Sequence, residues 1–196
     1  MMMIGRITFL LLIGFSVGCA EPFSERIMEG PVPIENNSNR EWKSGWLTVP
    51  ENRNNPSTNA IEIPFILTKV DSSLRKSDVP VLIMSGGPGN ASLHMANGTI
   101  YSSWGKKMDL LGMDQRGTAR CKPSLQCPEV DSLRIQGINA GLGRNSLDSL
   151  KLLGVNQCYE RLVSDGIDLN GYNTLESVED IEALRKLLEI DQLILY

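Results

Sequence analysis

The segment MSGGPGNAS, residues 84–92, follows an apolar run directly and contains three glycines and a proline. Because glycine has no Cβ, such a loop can bring backbone N–H groups close to an anion and adopt dihedral angles that other residues avoid. Two kinds of chemistry use this arrangement. One is the binding of a phosphate group, and the other is the stabilisation of a negatively charged oxygen during acyl transfer.

Phosphate binding fits the loop poorly. A dinucleotide-binding fingerprint requires a glycine where Ser92 stands, and a P-loop requires Gly-Lys followed by Ser or Thr. Pro88 also lacks the N–H that a phosphate cradle uses. We therefore favour an oxyanion hole at Gly86–Gly89, with a surface turn without chemistry as the alternative for the loop taken alone.

A serine in a nucleophile pattern occurs near the start of the chain. GFSVG, residues 14–18, matches G-x-S-x-G, in which a tight turn between a strand and a helix exposes the nucleophilic serine. Ser16, however, lies in the apolar run Ile7–Val17, which follows the single basic residue Arg6 and is typical of a signal peptide. We conclude that Ser16 belongs to a leader and is not a nucleophile.

The end of this leader predicts how the protein is exported. VGC at residues 17–19 resembles a bacterial lipobox, so we expect residues 1–18 to be removed and Cys19 to be lipidated. Ordinary cleavage to a secreted or periplasmic protein is the alternative, and an uncleaved anchor is a third. The predicted location is the bacterial periplasm, with or without a lipid anchor in the membrane.

The remaining reactive side chains are few. His94 is the only histidine, and a catalytic histidine must reach both a nucleophile and an orienting acid, so we assign it no role. Cys121, Cys127 and Cys158 allow one disulfide and one free thiol in an oxidising compartment. A zinc site is the less favoured alternative, because the chain has no C-x-x-C pair. We predict no metal and no cofactor.

The chain's length and charge limit the classes of protein to which it can belong. With 196 residues, 41% hydrophobic, it is long enough for one domain with a real core. The formal net charge of −4 argues against a nucleic-acid partner, which requires a basic face.

The pattern along the chain predicts the elements that position the loop. Residues 19–40 are predicted to be a polar tether, and residues 41–196 a domain. GWLTVPENR and IEIPFILTKV predict two antiparallel strands, and the apolar runs at 79–84 and 108–113 predict two buried strands. The final LILY predicts another buried strand. Strands alternating with helices predict an α/β fold with a mostly parallel sheet.

Two helices are predicted between these strands. Leucines at near-helical spacing predict one helix within residues 145–163. The second follows Asn173, which can cap it with Glu176 in a capping box. Its apolar stripe is predicted to pack in the core and consists of Val178, Ile181, Leu184 and Leu188.

Three segments together resemble the prolyl iminopeptidase and tripeptidyl aminopeptidase group of α/β-hydrolases. They are PVLIMSGGPG, MDLLGMDQRGTARCKPSLQCPEV and YNTLESVEDIEALRKLLEIDQLILY, and the resemblance runs from about Gly45 to Tyr196. In that group a G-G-P-G loop follows the third strand and a D-Q-R-G segment follows the fourth. The chain departs from that pattern at Ser44, Ser85, Ala119 and Cys121.

The resemblance implies a role for each matching residue. The N–H of Gly87 would be an oxyanion-hole donor, in a loop shaped by Gly86, Pro88 and Gly89. The D-Q-R-G segment, Asp114, Gln115, Arg116 and Gly117, would support the site structurally. Cys127 and Cys158 would form a disulfide.

The resemblance also implies a function. The group's nucleophilic serine follows the fifth strand, so we expect it just after Tyr196, with the acid and the histidine later still. The sequence is thus expected to be the N-terminal part of an exported serine peptidase that releases N-terminal residues from peptides. By itself this part is expected to be inactive, poorly stable and prone to aggregate. Its expected partners are a peptide substrate and, through the lipid, a membrane. The alternatives are a catalytically silent lipoprotein that binds a partner and an esterase of the same fold.

Overall fold

A computed structural model describes residues 23–32, 40–55, 57–87 and 89–196. Ser16, Cys19 and Pro88, for which the sequence makes predictions, lie outside the described residues. The strands are β1 Arg26–Glu29, β2 Glu41–Pro50, β3 Ala60–Lys69, β4 Val81–Ile83, β5 Leu110–Met113 and β6 Ile194–Leu195. The helices are α1 Ser92–Thr99, α2 Pro128–Asn139, α3 Arg144–Ser164 and α4 Thr174–Leu187.

The described strands form one mixed sheet in the order β1-β2-β3-β5-β4-β6. β1, β2 and β3 pair antiparallel, and β3 pairs antiparallel with β5. β5, β4 and β6 are parallel to one another. The mixed architecture agrees with the predicted α/β class, but the prediction of a mostly parallel sheet is wrong, because three of the five described strand pairs are antiparallel and two are parallel.

Apolar residues are buried on both faces of this sheet. β3 directs Ile61, Ile63 and Phe65 to the face covered by α4, and Ile66 to the face covered by α1. This alternation follows from the two-residue period of a strand. At Gly112 in β5, a Cβ would stand 2.5 Å from the Cβ of Ala96, so α1 packs directly on the strand backbone.

The structure departs from the sequence predictions in four elements. β1 lies within the predicted tether, where it adds to the edge of β2 and packs Ile27 against the core. α1 begins directly after the glycine loop, and α2 occupies a segment for which no helix is predicted. β6 is exposed rather than buried, with Leu195 68% exposed, because within the described sheet it is an edge strand beside β4.

α2 and α3 form a hairpin that is closed at its base by a disulfide between Cys127 and Cys158. Gly137 and Gly154 let the two helices approach closely, since a Cβ at either position would meet the other helix at 2.7 Å. Within the described ranges, no helix combines the length and the apolar character needed to cross a bilayer.

Candidate functional site

The glycine loop lies at the carboxyl end of β4. Gly87 and Gly89 have φ angles of +84° and +86°, in the region that L-residues other than glycine rarely adopt. A Cβ at Gly87 would also stand 2.8 Å from Nδ2 of Asn90. The sequence therefore needs glycine at Gly87 for two reasons, its dihedral angle and the space around it.

Neighbouring side chains hold this loop in place. The amide of Ser85 donates to the buried hydroxyl of Ser92 at 3.0 Å, which ties the loop to the start of α1. Nδ2 of Asn90 donates to the carbonyl of Gly86 at 2.9 Å. Among the described residues, the N–H of Gly87 makes no hydrogen bond, and the residue lines a cleft. A fixed, unused N–H at a cleft is what an oxyanion hole requires.

Asp114 connects the segment after β5 to the same loop. Its carboxylate is fully buried, and Oδ1 accepts from the amide of Leu93 in α1 at 3.0 Å. The other carboxylate oxygen lies 3.6 Å from Nη1 of Arg120. Asp114 thus fixes α1 and the loop before it relative to the end of β5.

Arg116 is the centre of a buried polar network. Nε and Nη2 donate to the two carboxylate oxygens of Asp180, each at 2.7 Å. Nη1 donates to the carbonyl oxygens of Glu51 and Gly171, each at 2.6 Å. Arg116 therefore joins the end of β2, the turn before α4, and α4 itself, which supports the cleft wall without its charge facing the cleft.

A second arginine extends the network. Arg53 approaches Glu176 at 2.6 Å and Asp180 at 3.0 Å. Burial raises the pKa of Asp180, and the guanidinium groups of Arg116 and Arg53 oppose that rise. Glu176 accepts from the amide of Arg53, so its side chain does not complete the predicted capping box, although Asn173 caps α4 as predicted.

Gly117 and Tyr172 form the floor of the cleft. Gly117 has φ of +75°, and a Cβ there would stand 2.8 Å from Leu125 and from the ring of Tyr172. The hydroxyl of Tyr172 donates to Oε1 of Glu51 at 2.7 Å. Burial and Glu51 together raise the pKa of Tyr172, so this hydroxyl keeps its proton and packs as part of the scaffold.

These segments surround a cleft of about 750 Å³ at the carboxyl ends of β4 and β5. The glycine loop forms one wall, and the first turns of α4 form the wall opposite. Val178, predicted to be a core residue, instead lines the cleft and is exposed, while Leu184 is buried as predicted. Besides Arg116, whose guanidinium is engaged, the lining is uncharged: Met84, Ser85, Gly86, Gly87, Gly89, Gln115, Gly117, Thr118, Ala119, Leu125, Gln126, Tyr172, Asn173, Thr174, Ser177, Val178 and Ile181.

His94 and Cys121 are not placed for nucleophilic catalysis. Nε2 of His94 contacts Nη2 of Arg120 at 2.5 Å, on the exposed face of α1. The free thiol of Cys121 is buried and donates to the carbonyl of Gln115 at 3.1 Å. Burial, together with the charge of Asp114, raises the pKa of Cys121 to about 12, so the thiol stays neutral.

One group of potential metal ligands occurs among the described residues, at Cys127, Glu129 and Cys158. The two sulfur atoms are joined in the disulfide, and Glu129 pairs with Nε of Arg161 at 2.5 Å. This group therefore offers no thiolate to a cation.

Sequence reasoning does not identify Glu51, Arg53 and Asp180, and it predicts a capping role for Glu176 rather than its contacts with Arg53. Glu176 and Asp180 lie four residues apart on α4, which puts them on one helix face, and this is the only signal that the sequence carries. Their arginine partners are 60 to 127 residues away along the chain. No protein-family model matches the chain, and no curated protein matches it.

Proposed function

We propose that residues 41–196 are the N-terminal part of a serine hydrolase with the α/β-hydrolase fold, and that Gly87 supplies an oxyanion-hole donor. The activity is that of an exported peptidase of the prolyl iminopeptidase and tripeptidyl aminopeptidase kind, which releases N-terminal residues from peptides. The observation that carries this proposal is the unused N–H of Gly87 in a hydrogen-bonded loop at the cleft.

In this reaction a serine oxygen attacks the scissile carbonyl, and the carbonyl oxygen becomes negatively charged. The Gly87 N–H donates to that oxygen, and the bracing by Ser92 and Asn90 keeps the donor in place, so little reorganisation is needed.

The position of β6 is consistent with a nucleophilic serine in the segment that follows it. β6 is parallel to β4, and the amide of Met84 donates to the carbonyl oxygen of Tyr196 at 2.8 Å. The carboxyl end of β6 therefore lies beside the residue that begins the glycine loop. A turn that follows Tyr196 starts at the edge of the cleft, which is where an attacking serine must stand.

The experiment is active-site labelling of the full-length gene product, which includes the segment after β6, with a fluorophosphonate, followed by peptide mapping. We expect one labelled serine, in the segment directly after β6, together with hydrolysis of aminoacyl or tripeptidyl anilides. Hydrolysis of simple esters without any peptidase activity would favour the esterase alternative. A product that takes up no label and hydrolyses neither class of substrate would contradict the proposal.

A further inference from the structure

The end of the sheet opposite the cleft, where β4 and β5 begin, carries a group of basic side chains, which we call the basic edge. It is formed where β2 begins, where β3 ends, and around the short turn Gly105–Lys107 that precedes β5. The amide of Lys76 donates to the carbonyl of Lys107 at 2.9 Å, which holds the two chain segments side by side. The basic edge consists of Arg40, Lys69, Arg75, Lys76, Lys106 and Lys107.

Of the four acidic side chains near the basic edge, three form ion pairs among the described residues, and Asp71 does not. Arg75 stands 3.6 Å from Asp78 and 3.5 Å from Asp109, and Lys69 lies 3.9 Å from Glu41. Asp71 accepts from both the amide and the hydroxyl of Ser73.

Three lysines of the basic edge have no such partner. Lys76, Lys106 and Lys107 are exposed, and within the part of the chain that the structure describes none of them forms an ion pair. The unpaired positive charge of the basic edge is therefore that of these three lysines, and it exceeds the single unpaired carboxylate, Asp71, in a chain whose formal net charge is −4.

Exposed apolar side chains stand among these lysines. Leu74 is 57% exposed and Tyr101 is 53% exposed, and both line the same shallow depression as Lys69 and Lys106. Cations surrounding exposed leucine and tyrosine are typical of surfaces that lie on a bilayer, where the apolar groups reach below the headgroups. A purely electrostatic partner, such as a nucleic acid or another polyanion, would give Leu74 nothing to contact.

We propose that the basic edge docks on the surface of an anionic lipid bilayer. β4 and β5 are parallel, begin beside the basic edge and end at the cleft, so a domain docked in this way presents the cleft away from the lipid. The inference rests on the basic edge and its neighbours alone, and it holds whether or not the cleft is a hydrolase site.

The test is flotation of the full chain with vesicles of phosphatidylcholine alone and with vesicles in which about a third of the lipid is phosphatidylglycerol. The variant K76E/K106E/K107E reverses the three unpaired lysines. The matched control, R134E/R144E/K151E, makes the same charge change at exposed positions of α2 and α3 for which the structure shows no ion pair. Any contribution of the apolar N-terminal residues is the same in all three proteins, and binding to neutral vesicles measures it.

We expect K76E/K106E/K107E to lose about 100-fold in its partition to anionic vesicles, since each lysine at such a surface contributes about fivefold. Binding to neutral vesicles should not change, and R134E/R144E/K151E should lose much less on anionic vesicles. Leu74→Ser should weaken anionic binding severalfold without any change of charge. Raising the salt from about 0.1 M to about 0.5 M should release the electrostatic part of wild-type binding.

Three outcomes would overturn the proposal. One is an equal loss in both triple variants, because net charge rather than the basic edge would then govern binding. Another is equal wild-type binding to neutral and anionic vesicles. The third is binding to heparin that depends on the lysines while Leu74→Ser leaves vesicle binding unchanged. Near-ultraviolet circular dichroism verifies that each variant is folded, and single lysine variants replace a triple variant that is not.

Discussion

Arg116 and Asp180 form a two-point ion pair in the interior, with Nε and Nη2 donating to the two carboxylate oxygens at 2.7 Å each. Both side chains are 1% exposed. Removing two charges from water costs several kcal/mol, and this cost is offset only when the geometry is good and the remaining donors are satisfied. The carbonyl groups of Glu51 and Gly171 satisfy Arg116 here. The pair thus holds α4 against the segment that follows β5, and these two elements form walls of the cleft.

Asp180→Asn should destabilise the protein by about 3 kcal/mol, because the buried guanidinium of Arg116 loses its two-point partner and keeps only Glu176, 3.4 Å away, as a counter-charge. Chemical denaturation in urea, followed by circular dichroism, measures the change. Glu182→Gln on the same helix is the matched control, since Glu182 pairs at the surface with Arg185 and Lys186. A control that loses as much stability as Asp180→Asn would show that the buried pair has no special role.

The thiol of Cys121 should make stability fall at alkaline pH. Burial raises its pKa to about 12, above the ordinary value of 9.0, so the unfolded chain loses this proton at lower pH than the folded one. The unfolded state then binds fewer protons, and the free energy of unfolding decreases by about 1.4 kcal/mol per pH unit between about pH 9 and pH 12. Below pH 9 this contribution is fully present.

Cys121→Ser isolates the contribution, because serine can still donate to the carbonyl of Gln115 but does not ionise in this range. Other groups titrate above pH 9 in both proteins, so the difference between the two stability profiles is the quantity to measure. We expect the wild-type profile to be steeper from pH 9 upward. Parallel profiles would mean that Cys121 ionises at its ordinary pKa.

Loss of the Cys127–Cys158 disulfide should loosen the α2–α3 hairpin more than the sheet. The bond closes a loop with a sequence separation of 31, for which the chain-entropy model gives about 4 kcal/mol. In the double variant C127S/C158S, hydrogen exchange should become faster across residues 128–164, while amides of β3 and β5 stay protected. Equal acceleration in β3 and β5 would show instead that the disulfide stabilises the whole domain.

The sequence predicts best those elements whose own residues carry a local signal. The alternation in β3 and the cap at Asn173 are local signals, and the structure has both the strand and the cap. The apolar runs of β4 and β5 are visible for the same reason, because strands buried on both faces have no polar positions.

The elements that the sequence does not predict depend on contacts made elsewhere. α1 contains Gly98 and Thr99 and has a weak apolar stripe, and it is held by Leu93 and Ala96 packing on the glycine of β5. α2 contains Gly137, which reads as a break in a helix and in fact makes room for Leu147 and Leu150 of α3.

The residues of the candidate site also divide into those with a local sequence signal and those that depend on long-range contacts. The glycine loop is visible in the sequence because its glycines are a local signal, and two of them, Gly87 and Gly89, have positive φ angles that favour glycine. The network around Arg116 joins β2, the turn before α4 and α4, and no local pattern links segments so far apart. Similarly, β1 forms through pairing with β2 and not through a strand signal of its own.

The proposed role of Gly87 is tested most directly by Gly87→Ala in the full-length gene product. The measurement is kcat and KM for an aminoacyl or tripeptidyl anilide. A Cβ at Gly87 meets Asn90 and is strained at φ +84°, so the substitution should displace the N–H that we propose as the donor. Gly141→Ala is the matched control, because Gly141 has φ +68°, lies in the α2–α3 turn, and has no atom within 4 Å of an added Cβ.

We expect Gly87→Ala to lower kcat by about 100- to 1,000-fold with little change in KM, because the lost hydrogen bond acts mainly in the transition state. Gly141→Ala should leave both constants unchanged, although it strains the backbone in a similar way. If Gly87→Ala retains the kcat of the wild type, or if Gly141→Ala loses as much, then Gly87 is not an oxyanion-hole donor and the proposed function loses its main support.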